Sequence, residues 1–404
     1  MRSMNIGLKE ALSMTLGKIK ALPSEEVDLF DSVDCIAASH IYALVNSPGM
    51  DISSKDGYAV LSSEVSDANG EAPVRLRVLG SIGAGCENGF SLEQGTAIRV
   101  LTGAGIPAGA DSVVPDEVVT CEDNYVLINE TAETGRNILP RGMDVMQGEC
   151  ILRAGEQITP GMTGLLAAAG HSIVPVFRNP VVGLIGIGDE IIEPGKLLAE
   201  NKVYASNVVT LRGWCERYKM KVISTVVKDD YDCIVRAINK ISAETDALIT
   251  SGGAWTGERD LVGKVLEGLD WKKAFHRIRI VPGKGVGFGM LGKKPVFILP
   301  GGPTSNLMGF LQIALPGLQA LSGYKKPGLP GIYAKMGSEL RGREADWTEF
   351  ILGQIESDGG FPTFFPLKKN SRLKSIANAA AVAAIPEGED IICLDSIRYI
   401  QLLK

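Results

Sequence analysis

Near the start of the chain, apolar residues recur every three or four positions: Leu8, Leu12, Leu16 and Ile19. This spacing places them on one face of an amphipathic helix, which we predict over residues 6–21 with its end near Pro23. Because an apolar helix face is unfavourable in water, we expect this helix to pack against another part of the chain.

Residues 74–128 have a different pattern. Short β-rich runs alternate there with clusters of Gly, Asn and Asp, which predicts a small β domain. A second turn-rich stretch containing Gly142-Met143-Asp144 follows, and residues 163–169 are then typical of a short helix.

From Val181 onward, strand patterns alternate with helix patterns. The buried-strand candidates are residues 181–185, 222–227, 247–249 and 296–299. The helix candidates have apolar residues at helical spacing over residues 208–218, 234–241 and 307–315. This alternation predicts a mostly parallel α/β sheet with right-handed crossovers.

Polar or glycine-rich loops follow the strands of this sheet: Gly188-Asp189-Glu190, Asp229-Asp230, Ser251-Gly252-Gly253, Pro282-Gly283-Lys284-Gly285 and Pro300-Gly301-Gly302-Pro303. The Ser-Gly-Gly turn leads to Asp260, at the start of the next helical stretch. Since ligands bind at the carboxyl ends of parallel strands, we expect the loops to converge there. Glycine loops and cations suit a phosphate, and carboxylates suit Mg²⁺. The alternative is that each loop is only a tight turn.

Two segments nearer the N-terminus have similar alternatives. Asp56-Gly57 precedes an apolar run and could be a plain hairpin turn. Residues 99–111 combine Thr102 with glycines, so they could hold an oxyanion through backbone N–H groups or form an ordinary surface loop. For each segment by itself, the structural alternative is favoured.

The last part of the chain begins with a linker pattern, Lys325-Lys326-Pro327-Gly328-Leu329-Pro330. Residues 331–404 are strand-like, which predicts a small terminal β domain. At 404 residues the chain also exceeds the ~250–300 at which a single core stops growing, so two or more domains are expected.

The composition excludes several kinds of site. The seven cysteines are far apart in sequence and form no Cys-x-x-Cys pair, which argues against a zinc site and a disulfide framework. The three histidines are also isolated in sequence, so any metal should be held by carboxylates. A net charge of −6 argues against a general nucleic-acid-binding surface but permits a local basic pocket for an anion.

No apolar run approaches the ~18–20 residues of a membrane span, and residues 1–10 lack a signal-peptide core. We therefore expect a cytoplasmic protein that binds neither membrane nor nucleic acid.

Taken in order, these motifs resemble the molybdopterin molybdenumtransferase family, which comprises the MoeA proteins and the gephyrin E domain. The resemblance extends over essentially the whole chain. The matching elements are Asp56-Gly57-Tyr58-Ala59-Val60, Leu101-Thr102-Gly103-Ala104, Gly109-Ala110-Asp111, Gly142-Met143-Asp144, Gly188-Asp189-Glu190, Ser206-Asn207, Ser251-Gly252-Gly253, Gly257-Glu258, Asp260, Pro282-Gly283-Lys284 and Leu299-Pro300-Gly301.

The resemblance implies a multidomain α/β and β architecture in an elongated homodimer. A central, parallel α/β domain similar to the MogA-type molybdopterin adenylyltransferase is expected at residues 1–26 and 178–325, so that the N-terminal helix joins it. The other expected parts are a connecting α+β domain at 27–45 and 147–177, a small β-rich domain at 46–146, and a barrel-like β domain at 326–404. The family's active cleft lies between the α/β domain of one subunit and the small β domain of the other.

The resemblance also implies a reaction in which adenylylated molybdopterin and molybdate, with Mg²⁺, yield molybdenum cofactor and AMP. The residues that match the family's functional positions are Asp56, Thr102, Asp144, Glu190, Asp229, Asp260, Arg277 and Lys284. Glu190, Asp229 and Asp260 are the expected metal ligands. Ser251, Gly252, Gly253, Pro300 and Gly301 are expected to bind the phosphate or pterin end of the substrate.

Several positions depart from the family pattern. Ser54-Lys55 replaces Ala-Met, Ile187 replaces Thr, Ala254-Trp255-Thr256 replaces Val-Ser-Val, Val281 replaces Lys, Gly285 replaces Pro, and Gly302 replaces Asn. The loss of a lysine at Val281 removes a cation from a site for two anions. In a strand over residues 276–281, Val281 would share a face with Arg277 and Arg279, and either Lys55 or Arg279 could replace the missing charge.

Two classes of function remain open. The first is a diverged metal-insertion enzyme that acts with an adenylyltransferase and supplies molybdoenzymes, using molybdate or preferring tungstate. The second is a non-catalytic molybdopterin-binding or scaffold protein. The retained carboxylates favour the enzyme, because carboxylates held together without a metal repel one another.

Overall fold

The computed structural model describes residues 6–86, 89–253, 261–357, 359–367 and 372–404. The helices and strands of the first part of the chain are, in order, α1 (Leu8–Lys18), β1 (Ser24–Asp28), β2 (Ile41–Tyr42), β3 (Ile52–Ser53), β4 (Gly57–Val60), β5 (Val74–Ile82), β6 (Thr96–Val100), β7 (Ser112–Pro115), β8 (Val119–Glu122), β9 (Tyr125–Ile128), β10 (Ile138–Leu139), β11 (Cys150–Leu152), α2 (Pro160–Ala168) and β12 (Ile173–Phe177).

Two distant segments of this part pair with each other. β1 is antiparallel to β12, and β2 is antiparallel to β11. Leu29, Ile41, Leu152 and Leu166 fill the core between these strands and α2. Thr159 begins α2 by accepting a hydrogen bond from the backbone N–H of Met162 through its side chain, and Pro160 occupies the first turn, where no N–H donor is needed.

The segment between these pairings forms a six-stranded sheet in the order β7-β4-β6-β5-β9-β8. Its β5–β6 pairing is parallel and the others are antiparallel. The β-rich character predicted for residues 74–128 is confirmed, and the sheet also includes β4. β3 pairs separately with β10.

The elements of the α/β region are β13 (Val181–Ile187), β14 (Ile191–Ile192), β15 (Val203–Tyr204), α3 (Ser206–Arg217), β16 (Lys221–Val227), α4 (Tyr231–Ser242), β17 (Ala247–Ser251), α5 (Leu261–Gly268), β18 (Lys272–His276), β19 (Ile280–Val281), β20 (Gly287–Leu291), β21 (Lys294–Leu299), α6 (Pro303–Gly309) and α7 (Leu315–Leu321). A π-helical turn, Phe310–Ala314, joins α6 to α7.

These strands form a sheet in the order β16-β13-β17-β21-β20-β18. The first four strands are parallel, as predicted, whereas β20 and β18 are antiparallel to their neighbours. Apolar residues of α4 and α5, such as Ile238 and Val265, cover one face. Leu211 of α3 and Leu307 and Leu318 of α6 and α7 belong to the core on the other face. The sheet is therefore covered by helices on both faces.

The N-terminal helix has the partner that it was expected to need. α1 packs against α7 and the π-helical turn, so it joins the α/β region. It is shorter than the predicted 6–21, and its fully buried residues are Ala11 and Thr15. Small side chains allow the helix to approach the sheet-covering helices closely, while Leu8, Leu12 and Ile19 of the predicted apolar face pack against the same core.

The prediction of one continuous strand over residues 276–281 is wrong. The backbone turns at Arg277, where φ is 73°, and this separates β18 from β19. Ile278 and Ile280 are buried, whereas β19 leaves the α/β sheet and pairs with a strand of the C-terminal region.

The C-terminal elements are β22 (Gly331–Met336), β23 (Leu340–Arg341), β24 (Thr348–Glu356), β25 (Thr363–Pro366), α8 (Arg372–Asn378), β26 (Ala381–Ile385), β27 (Ile391–Ile392) and β28 (Ile397–Leu402). Pairing runs in the order β24-β25-β22-β28-β26 and returns from β26 to β24, so these five strands close into a barrel. The closed barrel, filled by Met336, Phe364 and Ile400, confirms the expected β-barrel-like fold. The exact domain boundaries stay a prediction.

None of the helices in the described ranges is long and apolar enough to cross a membrane.

Candidate functional site

Four loops meet at the carboxyl ends of the parallel strands of the α/β sheet, as expected for this kind of sheet. They follow β13, β16, β17 and β21 and enclose a cavity of ≈ 440 Å³, here called the sheet-edge cavity. Its lining residues are Ile187, Gly188, Glu190, Asp229, Gly252, Gly253, Gly301, Gly302 and Arg372. The structure thus brings together five residues predicted from the sequence: Glu190, Asp229, Gly252, Gly253 and Gly301.

The Ser-Gly-Gly turn must contain glycine because two chain segments approach it closely. Gly252 has φ 94°, and a Cβ atom there would lie 2.2 Å from the carbonyl oxygen of Ile187. Gly253 has φ 66°, and its Cβ would lie 2.7 Å from a methyl group of Val262. A Cβ atom at Gly301 would lie 3.7 Å from the Cα of Gly252, so the two glycine loops are in contact.

Asp229 is the chemically distinctive side chain of the cavity. Its Oδ1 atom is buried and has no hydrogen-bond partner among the described residues. Burial, followed by the nearby charges of Asp189 and Glu190, raises the pKa of Asp229 above its usual value. An uncompensated carboxylate beside a second one is the arrangement that a bound cation relieves.

The donors present fit Mg²⁺. Mg²⁺ is usually bound by one or two carboxylates together with water and substrate phosphates, and Glu190 and Asp229 line one cavity. Within the described ranges there is no group of three or more candidate metal ligands. The third predicted ligand, Asp260, lies outside the described residues, as does Trp255.

Ser251 and Pro300 are held together behind the cavity. The Nδ2 atom of Asn306 donates to Ser251 Oγ at 3.0 Å and to the Pro300 carbonyl oxygen at 2.8 Å. Asn306 and Ser251 are 1% and 4% exposed, so these bonds are shielded from water. Asn207 of α3 donates to the carbonyl oxygen of Gly301 at 2.8 Å. Two amide side chains therefore position the loop after β21.

A second cavity of ≈ 260 Å³, here called the Val281 cavity, lies between the α/β region and the C-terminal barrel. Its polar lining residues are Thr304, Arg343, Glu349, Arg372 and Ser375, and Val281 and Pro282 line it as well. Arg343 lies 3.6 Å from the buried carboxylate of Glu349. Arg372 also lines the sheet-edge cavity, so this residue is common to both cavities.

The lining of the Val281 cavity within one chain bears on the missing lysine at position 281, whose replacement stays a prediction. Arg279 does not line the Val281 cavity, since its guanidinium binds Glu387 at 3.1 Å and the Asp346 carbonyl oxygen at 2.9 Å. Lys55 does not line it either. The cations that do are Arg343 and Arg372 of the C-terminal region, which sequence reasoning did not identify.

The predicted basic residues Arg277 and Lys284 lie in the turn beside these cavities and line neither of them. The Arg277 N–H donates to the Val286 carbonyl oxygen at 2.8 Å, and the Ile278 N–H donates to that of Lys284 at 3.1 Å. The Lys284 ammonium lies 5.1 Å from the centre of the Trp347 ring, within the range of a cation–π contact.

The remaining predicted residues lie in the small β-rich region. Asp56 Oδ1 accepts hydrogen bonds from the Thr102 backbone N–H at 2.6 Å and the Thr102 hydroxyl at 2.8 Å. These two bonds lower the pKa of Asp56, and the bond from the backbone N–H has the larger effect. Asp144 is exposed, and its backbone N–H donates to the Ser47 carbonyl oxygen at 2.9 Å. Within one chain, none of the three lines either cavity.

Sequence reasoning missed Asn306, Arg343 and Arg372. A signal existed for Asn306, since it precedes the apolar run Leu307-Met308 at the start of a buried helix. The two arginines belong to the barrel region, and only the packing of that region against β19 and α6 brings them near Val281.

Comparison with known proteins identifies the family. Residues 6–170 match the MoeA N-terminal region (domain I and II), and residues 183–320 match a probable molybdopterin binding domain. The molybdopterin molybdenumtransferase of Bacillus subtilis is 31% identical, with 90% of this chain and 86% of that protein covered. That of Haemophilus influenzae is 34% identical over 75% of this chain and 74% of its own length. The chain belongs to the molybdopterin molybdenumtransferase family.

Solved structures agree with this assignment. A molybdopterin biosynthesis MoeA protein from Pyrococcus horikosii is 30% identical and covers 99% of both chains with a TM-score of 0.79. A second MoeA structure, from Pyrococcus horikoshii OT3, is 27% identical and covers 98% of this chain and 100% of its own, with a TM-score of 0.84. As a member of this family, the protein is an enzyme of the transferase type that acts in molybdenum cofactor biosynthesis.

Proposed function

We propose that the protein inserts molybdate into adenylylated molybdopterin and releases AMP, with Mg²⁺ bound at Glu190, Asp229 and Asp260. The observation that carries this proposal is the buried Oδ1 atom of Asp229, which has no hydrogen-bond partner among the described residues and lies in the sheet-edge cavity with Glu190 and two glycine loops. Glycine loops admit a phosphate close to the backbone, and the carboxylates supply oxygen ligands for a hard cation.

The chain's own residues have separate roles in this proposal. Gly252, Gly253 and Gly301 line the cavity without side chains, so we propose that the pyrophosphate approaches their backbone closely. Ser251 Oγ accepts from Asn306, so its own O–H proton is available to another acceptor, for which we propose the phosphate or pterin end of the substrate. Mg²⁺, when bound, would offset the negative charge of the phosphates as the phosphoanhydride bond breaks.

The oxyanion is proposed to bind at the Val281 cavity, where Arg343 and Arg372 offer positive charge. Arg372 lies on both cavities and can therefore contact an anion in either one. Arg277 and Lys284 remain proposed contributors to charge neutralisation from the neighbouring turn.

Asp56, Thr102 and Asp144 are proposed to act across a homodimer. Within one chain they line neither cavity, while the proposed active cleft combines the α/β domain of one subunit with the small β domain of the other. The protein would then work in the cytoplasm between a molybdopterin adenylyltransferase and the molybdoenzymes that receive the cofactor.

The test is one assay, run complete and with each of four components left out in turn. Purified protein is incubated with adenylylated molybdopterin, Mg²⁺ and molybdate, and AMP is measured over time. We expect AMP release that requires the protein, the pterin nucleotide, Mg²⁺ and the oxyanion. Release with tungstate at a lower half-saturating concentration would establish the tungstate-preferring alternative. Absence of AMP with both oxyanions, together with tight pterin binding, would overturn the proposal in favour of a non-catalytic pterin-binding role.

A further inference from the structure

The strand β16 forms an open edge of the α/β sheet. It pairs with β13 on one side only, and no other described strand pairs with it. Its sequence, Lys-Val-Ile-Ser-Thr-Val-Val, is rich in β-branched residues and contains no proline or glycine. Edges of this kind can accept a further strand, because their outer N–H and C=O groups are already aligned for pairing.

The outward-pointing backbone groups can be identified from one hydrogen bond. The N–H of Gly188, which follows β13, donates to the carbonyl oxygen of Val227 at 3.1 Å, so the backbone groups of Val227 face β13. Successive residues of a strand alternate in direction, and the N–H and C=O of Val222, Ser224 and Val226 therefore point away from the sheet. These groups have no hydrogen-bond partner among the described residues.

A groove of ≈ 570 Å³ runs beside this edge, between residues 223–228 and helix α4. Strands advance about 3.3 Å per residue, so the seven residues of β16 can align an extended segment of similar length. Ile223 and Val227 pack on the α4 side of the sheet, while Val222 and Val226 pack on the α3 side. The side chains of an added strand would therefore extend the apolar layers on both the α3 side and the α4 side of the sheet.

The charge of the groove indicates what kind of segment fits. Its charged lining residues are Lys228, Arg236 and Lys240, and no carboxylate lines it. Neither Arg236 nor Lys240 forms an ion pair with a described residue. This local positive charge stands out in a chain with a net charge of −6. It complements an acidic segment and would repel the same groove of a second copy.

We propose that the open edge of β16 binds an extended, acidic segment of a partner protein by strand addition. Backbone hydrogen bonds to Val222, Ser224 and Val226 provide the pairing, and Arg236 and Lys240 select acidic side chains on the α4 side. The site lies outside both cavities described above, so it adds a docking surface to the proposed enzyme rather than a part of its chemistry.

The first experiment measures binding of two dye-labelled peptides by fluorescence anisotropy. One alternates glutamate with valine over eight residues, and the other has lysine in place of every glutamate. We expect the acidic peptide to bind the full-length protein and the basic one not to bind. The double variant Arg236→Glu with Lys240→Glu should weaken the acidic peptide about tenfold or more and admit the basic one, because the sign of the groove is reversed.

Two controls separate strand addition from general electrostatic attraction. Lys18→Glu with Lys20→Glu changes the net charge equally but away from the groove, and should leave binding unchanged. Ser224→Pro removes one outward N–H and should abolish binding, whereas Ser224→Val keeps that N–H and should retain it. Circular dichroism and thermal melting check that each variant is folded.

Residue-resolved amide hydrogen exchange gives a second readout that does not depend on any variant. On addition of the acidic peptide, the amides of Val222, Ser224 and Val226 should become protected, while those of Ile223, Thr225 and Val227 stay slow throughout. Unchanged exchange at the three outward amides would overturn the proposal. A second result would also overturn the proposal. If these amides are protected in the free protein and lose that protection when it is diluted to monomer, a second copy of the chain occupies the β16 edge.

Discussion

Asn306 Nδ2 lies 3.0 Å from Ser251 Oγ, which joins the start of α6 to the end of β17 through two buried side chains. The same Nδ2 donates to the Pro300 carbonyl oxygen at 2.8 Å. One amide group therefore positions both loops that carry the glycines of the sheet-edge cavity.

Replacing Asn306 with alanine should affect both stability and activity. The Pro300 carbonyl and the Ser251 hydroxyl would lose a buried donor, which costs about 1–3 kcal/mol of unfolding free energy. AMP release should fall by more than the decrease in the folded fraction of the protein explains. Asn207→Ala, which removes a bond to the same loop from a less buried residue, should cost less. In a double-mutant cycle with Ser251→Ala, additive effects would show that the two side chains act independently.

Asp229→Asn should stabilise the metal-free protein at neutral pH and abolish stabilisation by Mg²⁺. The raised pKa of Asp229 means that the folded state prefers the neutral form, so its stabilising contribution is lost as the pH rises through the folded-state pKa. Because the carboxylate is partly solvated, we expect a gain of about 1 kcal/mol or less. The gain should disappear at low pH, where Asp229 is protonated in both states.

Thermal melting with and without Mg²⁺, over a range of pH, measures these effects. Asp230→Asn is the matched control, because it removes the same charge one residue away. The asparagine side chain can still cap α4 by accepting the hydrogen bond from the Cys233 N–H. Equal Mg²⁺-dependent shifts in the parent and the Asp229→Asn protein would remove Asp229 from the metal site.

Gly252→Ala should be strongly destabilising. The added Cβ would lie 2.2 Å from the Ile187 carbonyl oxygen at a φ of 94°, and a backbone conformation of this kind alone costs about 1–3 kcal/mol for a residue with a side chain. Gly164→Ala, on the exposed face of α2, meets no atom within 4 Å and should instead stabilise by about 0.5–1 kcal/mol. Denaturant unfolding of both variants tests the contrast, and a neutral Gly252→Ala would show that the loops can separate.

Val281→Lys should change the dependence on the oxyanion without impairing folding. It adds an ammonium to a cavity that already has Arg343 and Arg372, and we expect it to lower the half-saturating molybdate concentration in the AMP assay. Each tenfold change in affinity corresponds to ~1.4 kcal/mol. Lys55→Met, measured in parallel, should have little effect. An unchanged value in Val281→Lys together with a large increase in Lys55→Met would assign the compensating charge to Lys55.

The protein should be a dimer in solution at micromolar concentration, because Asp56 and Thr102 line neither cavity of their own chain. Light scattering measures the mass directly. A monomer that releases AMP at the full rate would contradict the proposal that the second subunit completes the site.

Much of the α/β region was predictable because local sequence patterns determine it. The parallel strands β13, β16, β17 and β21 are rich in apolar and β-branched residues, and the loops after them carry the glycines and carboxylates at recognisable spacing. Parallel strands place such loops at one sheet edge, so the meeting of Glu190, Asp229 and Gly252 followed from the pattern. The antiparallel strand β20 did not follow, since Gly287 and Gly289 hide its strand signal.

The sequence by itself determined the family, the alternation of strands and helices, and the residue types at the sheet edge. Only the tertiary structure decided that Arg343 and Arg372, rather than Arg279, line the cavity at Val281, and that Asn306 joins the two glycine loops. The physical reason is distance along the chain. Periodicity and turn chemistry act over a few residues, whereas Asn306 and Ser251 are 55 positions apart, and Val281 is 62 and 91 positions from Arg343 and Arg372. Only packing of the barrel and α6 against the sheet brings these residues together.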